Sequence, residues 1–395
     1  MLKKLLVFTI LGFLILSCTL DTTEEYEDLI YIENVLPDLP QNNSEEIFES
    51  QALQISQWID NMQLSNGLLT SSEKTDYVSL YDNSLAALAF MAEGEIEKAE
   101  GVFDYFNERI DSEFAQNNGG FYQLRNSDGS NGRRTWMGDN AWLLIALNNY
   151  HQITGNDKYN ELTVLLENWI RSLQDEDGGL WGGFNEDGTQ IHKVTEGIIM
   201  AFNAVKGYDD FHKGILNYLK QERWNITDRL LVAWPENETH YYAMDLHSLG
   251  YLIFENFPED VLYKADRYKN TRVASFNGEV ITGYCFDEDK DVIWLEGTAQ
   301  MALAFKQANM GNEANEFIGQ LQKAQMNNSA QENLPGIPYV TNAGTSYGSS
   351  LLWEDAPSTP ALSSSIWYLF NMLSFNPLDI GKQKNIPNED KFWNL

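Results

Sequence analysis

Cysteine, histidine and positive charge are all scarce in this 395-residue chain. Only two cysteines occur, Cys18 and Cys285, and Cys18 sits at the end of an N-terminal apolar run. The folded part therefore has no disulfide to form, and one remaining thiol makes neither a zinc cluster nor a thiol–histidine pair. Five histidines are spread over the chain without metal-ligand spacing, so no metal or cofactor is expected. Lysine and arginine total 26 against 58 acids, for a net charge of −32. Such a chain repels nucleic acid, which is bound by neutralising phosphates, and it is repelled by anionic lipid surfaces. No nucleophile elbow and no phosphate-binding glycine loop is present. What is abundant is aromatic: 20 Phe, 19 Tyr and 11 Trp, enough to exclude disorder as the main state.

The start of the chain reads as an export segment. Lys3 and Lys4 precede an apolar run over residues 5–16 that is too short for a membrane span, which needs about 20 residues. Ile15-Leu16-Ser17-Cys18 resembles a bacterial lipobox, which implies a signal peptide over residues 1–17 and lipidation of Cys18. Residues 18–44 are rich in Asp and Glu and read as a solvated tether. Acids just behind the lipidated position resemble the surface-export signal of Bacteroidetes lipoproteins. The expected address is the outer membrane or cell surface, or its periplasmic face, with membrane contact through the lipid alone.

Beyond residue 44 the chain repeats. Asp82, Asp139, Glu196, Asp245 and Glu296 each open an apolar, small-residue run, and they are spaced 57, 57, 49 and 51 residues apart. A sixth run over residues 361–375 falls in step without an acid. These runs are apolar on nearly every side, as in helices buried all round. Between them lie amphipathic stretches over 45–62, 95–110, 157–173, 209–223, 259–268 and 312–326. In the third of these, Leu162, Leu165, Leu166, Trp169 and Leu173 recur at three- and four-residue steps, making one apolar stripe. Twelve helices are thus expected, alternately half-exposed and buried. Links from a buried run to the next amphipathic one are short, while the returns are long and carry glycines and aromatics. Long loops in a compact domain are usually functional.

Six such hairpins close into two concentric rings, an all-α (α/α)6 toroid over residues 45–378 followed by a tail over 379–395. In this the chain resembles the six-hairpin glycosidases. An open solenoid of helix pairs is the alternative, but its repeats are commonly shorter, with short loops on both sides.

With parallel inner helices, the five acids converge on one rim. Any one of them is explained as a helix-terminal acid stabilised by free N–H groups. Five over one pocket are a stronger pattern, because crowding and burial raise pKa values and supply the protonated acid that glycosidic cleavage needs. Hydrolysis takes two carboxyls, one protonating the leaving oxygen and one activating water or attacking. Asp82-Asn83 and Asp139-Asn140 open the first two inner helices. The resemblance to unsaturated glucuronyl hydrolases implies a general acid/base role for Asp139, with Asp82 in support. Glu196-Gly197 and Glu296-Gly297 resemble the Glu-Gly pair of the endoglucanase branch. Asp139, Glu296, Asp82 and Glu196 are the catalytic candidates, the first two foremost. Acids on separate helix starts favour the wider spacing of inverting enzymes.

Sugar faces pack on aromatic planes. Trp136, Trp294, Trp181, Tyr284 and Trp353 are therefore candidate sugar-binding residues, together with Asn83, Asn140, Asp245 and His247. Arg133-Arg134, just before Trp136, could meet an acidic sugar. The partner expected is a poly- or oligosaccharide, bound by a monomer. A surface glycan-binding lipoprotein without catalysis and a polysaccharide lyase are the rival functions. Gln174 to Trp181 is similar to the turns of terpene cyclases, but no aspartate cluster lies on one helix. Epimerases of this fold use paired histidines, and only His247 falls on an inner run.

Overall fold

A computed structural model describes residues 42–116, 118–236, 240–326, 334–344 and 356–394. Cys18, the signal segment and almost all of the tether lie outside the described residues, as does Trp353. The inner helices are α2 (Leu80–Ala92), α4 (Met137–Thr154), α6 (Thr195–Ala204), α8 (Asp245–Ile253), α10 (Leu295–Gln307) and α12 (Leu362–Leu373). The outer ones are α1 (Asn42–Met62), α3 (Ile96–Asn107), α5 (Asn160–Ser172), α7 (Asp210–Tyr218), α9 (Asp260–Lys264) and α11 (Gly311–Lys323).

Each inner helix packs on the next around the circle, and α12 returns to α2, so the ring is closed. This is the (α/α)6 toroid rather than an open solenoid. Burial follows the apolar pattern: α4 is buried from Met137 through Tyr150, whereas α5 buries only Leu162, Leu166, Trp169 and Ile170. The outer ring closes at α1, where the Gln51 side chain meets Gln322 of α11 and Tyr368 of α12.

The long returns carry strands. β1 (Tyr77–Ser79), β2 (Tyr122–Asn126), β3 (Arg133–Trp136) and β4 (Gly183–Phe184) form one antiparallel sheet in that order. β1 and β3 run straight into α2 and α4, so the sheet sits at the N-terminal ends of the inner helices. At the other end, the stretch expected to be a tail is packed. Its short helix α13 (Asp379–Lys382) touches α4, α6 and α8, and Trp393 is fully buried, its indole donating to the Asn256 carbonyl at 3.1 Å. Asn149 and Asn203, near the C-terminal ends of α4 and α6, donate to the carbonyls of Pro377 and Leu378. Residues 44–395 form one compact unit, closed at the C-terminal ends of its inner helices.

Candidate active site

The acids reach the rim from three different helical positions. Taking Ser79, Trp136, Val194, Met244 and Trp294 as N-caps, Asp82 and Asp139 are third in their helices, Glu196 and Glu296 second, and Asp245 first. The longer glutamate side chains compensate for the earlier position. Side-chain hydrogen bonds mark the register independently of where a helix is said to begin. Asn83 and Asn140 each donate to the carbonyl four residues back, of Ser79 and Trp136, and the Thr298 hydroxyl does so to Trp294. The same three side chains grip the incoming loop. Asn83 exchanges two bonds with the Leu69 backbone, Asn140 two with Phe121, and Thr298 accepts from the Tyr284 N–H. Ser365 repeats the loop contact in the sixth hairpin, accepting from the Ile337 N–H at 2.9 Å.

This corrects the expectation for Asn83 and Asn140. Both are 0% exposed and have every side-chain polar atom engaged with backbone, so they hold loops and face no ligand. The neighbouring aspartate points to the axis because successive helical residues are rotated by about 100°.

Two adjoining compartments open at the rim, of about 170 Å³ and 670 Å³. Asp139, Glu196, Asp245 and Glu296 line the inner one, Asp82 and Asp139 the outer one. Tyr81, Gln123, Asp139 and Tyr339 belong to both and form the boundary. Trp136 and Trp294 line the inner compartment, joined by Trp142, Trp234 and Phe286.

Burial is the main influence on all five carboxyls, and it disfavours the charged form. Asp82, Asp139 and Asp245 are raised to about 7, and Glu196 and Glu296 to about 8. Mutual repulsion adds to burial: Asp82 acts on Asp139 and Glu296, Asp139 and Asp245 on Glu196, and Asp245 on Glu296. Opposing groups differ from acid to acid. The Arg134 guanidinium, the Tyr81 N–H and the Gln123 side chain favour the Asp139 anion, and the Ser71 and Ser79 hydroxyls favour that of Asp82.

Glu296 is the most enclosed of the five, at 2% exposure. Its Oε1 accepts from the Tyr81 hydroxyl at 2.5 Å and from the Gln300 amide at 3.2 Å, while Oε2 is buried without a hydrogen-bond partner. Tyr81 itself accepts from the Trp367 indole at 2.9 Å and meets the Trp142 ring edge-on, with centroids 5.4 Å apart. On the facing side, Gly138 sits in a tight approach: a Cβ there would stand 3.1 Å from Trp136 Nε1, 3.2 Å from Glu196 Oε2 and 3.3 Å from the Gly197 Cα, so these neighbours would have to give way by a few tenths of an ångström.

Three further expectations are not met by the geometry. His247 is buried in the helical layer, its Nδ1 2.7 Å from the Val261 carbonyl and its ring against Tyr268. It lies between the rings rather than in the cavity, because its face of α8 is turned to α9. Tyr284 packs outward on Phe317 of α11, with centroids 4.8 Å apart. Trp181 lies under Lys193, which pairs with Asp175 and Asp177, and lines neither compartment. The sequence reading passed over Tyr81, Gln123, Trp142, Gln300 and Tyr339. For Tyr81 a cue existed, since it holds the second helical position that Glu196 and Glu296 hold in theirs. Among the described residues no group of three or more His, Cys, Asp or Glu is arranged to hold a metal ion.

No protein-family model matches the chain. Nor does any curated protein sequence. Solved structures do. A glutamate-to-alanine variant described as a glycosidase aligns over 87% of this chain and 99% of its own, with a TM-score of 0.57 at 13% identity. Cellobiose 2-epimerase from Bacillus thermoamylovorans B4167 aligns over 84% and 99%, with a TM-score of 0.59 at 12% identity. An inactive variant of the α-1,6-mannanase GH76A of Salegentibacter sp. HEL1_6, in complex with α-1,6-mannotriose, covers 84% and 99%, with a TM-score of 0.50 at 13% identity. The chain thus shares its (α/α)6 toroid fold with structures described as a glycosidase, a cellobiose 2-epimerase and a mannanase.

Proposed function

We propose that the protein is a carbohydrate-active enzyme, and specifically a glycoside hydrolase acting on poly- or oligosaccharide. The observation that carries this reading is the convergence of five carboxyls, from five helices, on two adjoining compartments of one rim, the inner of them walled by aromatics. Glu296 is the general acid. Held at about 8, it keeps its proton at neutral pH and passes it to the glycosidic oxygen as the C–O bond breaks. Asp139 is the base. Arg134, Gln123 and the Tyr81 N–H favour its anion, which takes a proton from the water attacking the anomeric carbon. Asp82 supports the pair, its charge acting on both Asp139 and Glu296, and Glu196 shares the inner compartment with them.

Asp139 and Glu296 belong to the second and fifth hairpins, across the ring from each other. With neighbouring axes 8–10 Å apart and side chains reaching 5–6 Å from each axis, opposite carboxyls stand on the order of 4–10 Å apart. That span takes in both the roughly 6.5–9.5 Å of inverting enzymes and the roughly 5–5.5 Å of retaining ones, and the anomeric form of the first product distinguishes them.

A second reading rests on one contact. His192 stacks on Trp234, a cavity-lining residue, at 4.2 Å with its Nε2 unpartnered, and His240 lies over the same indole at 6.2 Å. Burial lowers the pKa of both imidazoles, so neutral imidazoles stand behind this wall of the cavity, where a shift of the indole would admit one as a base for sugar isomerisation. The deciding experiment incubates the protein with α- and β-glucans, mannans and uronic-acid oligosaccharides and follows reducing ends and anomeric signals by NMR. New reducing ends, lost in Asp139→Asn and Glu296→Gln, support hydrolysis. Epimerised or isomerised sugar without chain cleavage supports the second reading, and binding with neither change supports a glycan-binding role. For cellular address we propose export and a lipid on Cys18, which Cys18→Ala would abolish by releasing the protein from the membrane fraction.

A further inference from the structure

The outer compartment differs chemically from the inner one. Its wall carries Arg133 and Arg134, adjacent on β3, together with Tyr77 at the rim. Arg133 and Arg134 enter no ion pair among the described residues, although Asp139 lies close enough to act on Arg134 through its charge.

Arg134 is built into place. Its Nε donates to the Gln123 side chain across the β2–β3 ladder, and its guanidinium lies 4.9 Å from the Trp136 ring centroid. The backbone holds φ at +22°, a conformation costly for a residue with a side chain, and such strain persists where surrounding structure enforces it. Fixing Nε and one ring face leaves the terminal nitrogens, the two-pronged edge that grips planar oxyanions. The Gln123 side chain meets Asp139 next, so whatever Arg134 holds lies one residue from the proposed base.

We infer that the outer compartment is a subsite for an anionic sugar, in which Arg134 binds a carboxylate or sulfate ester carried by the ring next to the bond that is cut. This rests on the hydrolase reading for the bond but not for the binding. A guanidinium–oxyanion contact of this kind is worth about 10- to 100-fold in affinity.

The test uses full-length protein carrying Glu296→Gln, so that ligands persist, and calorimetric titration with three matched oligosaccharides: neutral, uronate-bearing and sulfated. The result expected is at least tenfold tighter binding of one anionic ligand, which also tells carboxylate from sulfate. Adding Arg134→Gln should erase that preference, Arg134→Lys should restore part of it, and Arg133→Gln should reduce it. Thermal melts of each variant show that folding is retained, and Arg133→Gln keeps the test open if Arg134 variants do not fold. Equal affinity for neutral and anionic ligands, or a preference unchanged by both substitutions, overturns the inference. So does an Arg134→Gln effect on turnover of neutral glycans alone, which would make it a tuner of Asp139. Hydrolysis of neutral glycans without anion preference removes the subsite and leaves the hydrolase. Arginine-dependent anion binding with no hydrolysis of any glycan does the reverse.

Discussion

Glu296→Gln should inactivate the enzyme and stabilise it, the stabilisation growing with pH. The amide has the shape of the carboxyl, and its oxygen can still accept from Tyr81 and Gln300, which reach Glu296 Oε1 at 2.5 and 3.2 Å. Only the ability to ionise is removed. In the folded protein Glu296 titrates at about 8, against 4.5 for an ordinary glutamate. A folded-state value above the unfolded one means that the folded protein binds the proton more tightly. That contribution is fully present below about pH 4.5 and is lost as pH rises through about 8. At roughly 1.4 kcal/mol per pH unit, burying this carboxyl costs on the order of 3–5 kcal/mol at pH 9 relative to pH 4, an upper bound because neighbouring acids share the proton. Glutamine escapes that loss. Urea unfolding of wild type and variant between pH 5 and 9 should therefore diverge, by under about 1 kcal/mol at pH 5 and by several at pH 9, with kcat down at least about a thousandfold if the carboxyl is the proton donor. Parallel stability curves across that range would show that Glu296 ionises normally, and the proposed acid would be lost with it.

The pH dependence of kcat/KM should be a narrow bell. Asp139 must be ionised, so activity climbs through about 7, and Glu296 must be protonated, so it declines above about 8; a plateau reaching pH 10 or an optimum below 5 contradicts the assignment. Asn140→Ala orphans the buried N–H and carbonyl of Phe121, bonded at 2.8 and 3.0 Å, and should cost about 3–5 kcal/mol in chemical denaturation; a cost under about 1 kcal/mol would mean that the loop does not depend on this clamp. Trp234→Ala removes one wall of the inner compartment and should raise KM about tenfold with a smaller change in kcat, measured by initial rates; a pure kcat defect would place Trp234 with the chemistry instead.

The ring was legible because burial leaves a period in the chain. Runs apolar on all sides alternate with single stripes, and α4 and α5 show why: one is enclosed by neighbours, the other has water on its far face. The acids were legible because parallel helices align their first turns. Orientation was not. Asp139 and Asn140 are adjacent in sequence, yet one lines the cavity and the other grips Phe121, because a step of one residue turns the side chain through about 100°. Loop aromatics escaped for a related reason. Tyr284 and Trp294 flank the same loop, but the strand Val280–Tyr284 turns Tyr284 toward Phe317, while Trp294 caps α10 and faces the axis. Composition cannot tell those two from each other; the strand that carries Tyr284 can.

The clamp and the acid solve opposing problems at one helix start. A carboxyl in the first turn is welcomed by unpaired N–H groups and the helix dipole, whereas burial expels its charge, so small shifts in position decide which effect wins. A loosely held loop would let water reach the rim, screen the carboxyls and return them toward ordinary values. Asn83 and Asn140 prevent this by fixing the loop to the turn that carries the acid; Thr298 uses the same four-residue step in the fifth hairpin, and Ser365 holds the loop of the sixth without it. Thr298 also ties the Tyr284 N–H to α10 two residues beyond Glu296, the acid with the least exposure of those for which the clamp can be traced. Rigidity at the fourth position and acidity at the second or third are thus separate functions of one turn, since their side chains point in different directions. A hairpin can lose its acid and keep its clamp, and the sixth one does: Ser363-Ser364-Ser365 carries no carboxyl, while Ser365 still accepts from Ile337. That asymmetry leaves one sector of the rim without an acid, between α10 and α2, where Tyr81, itself held by the Trp367 indole, donates to Glu296.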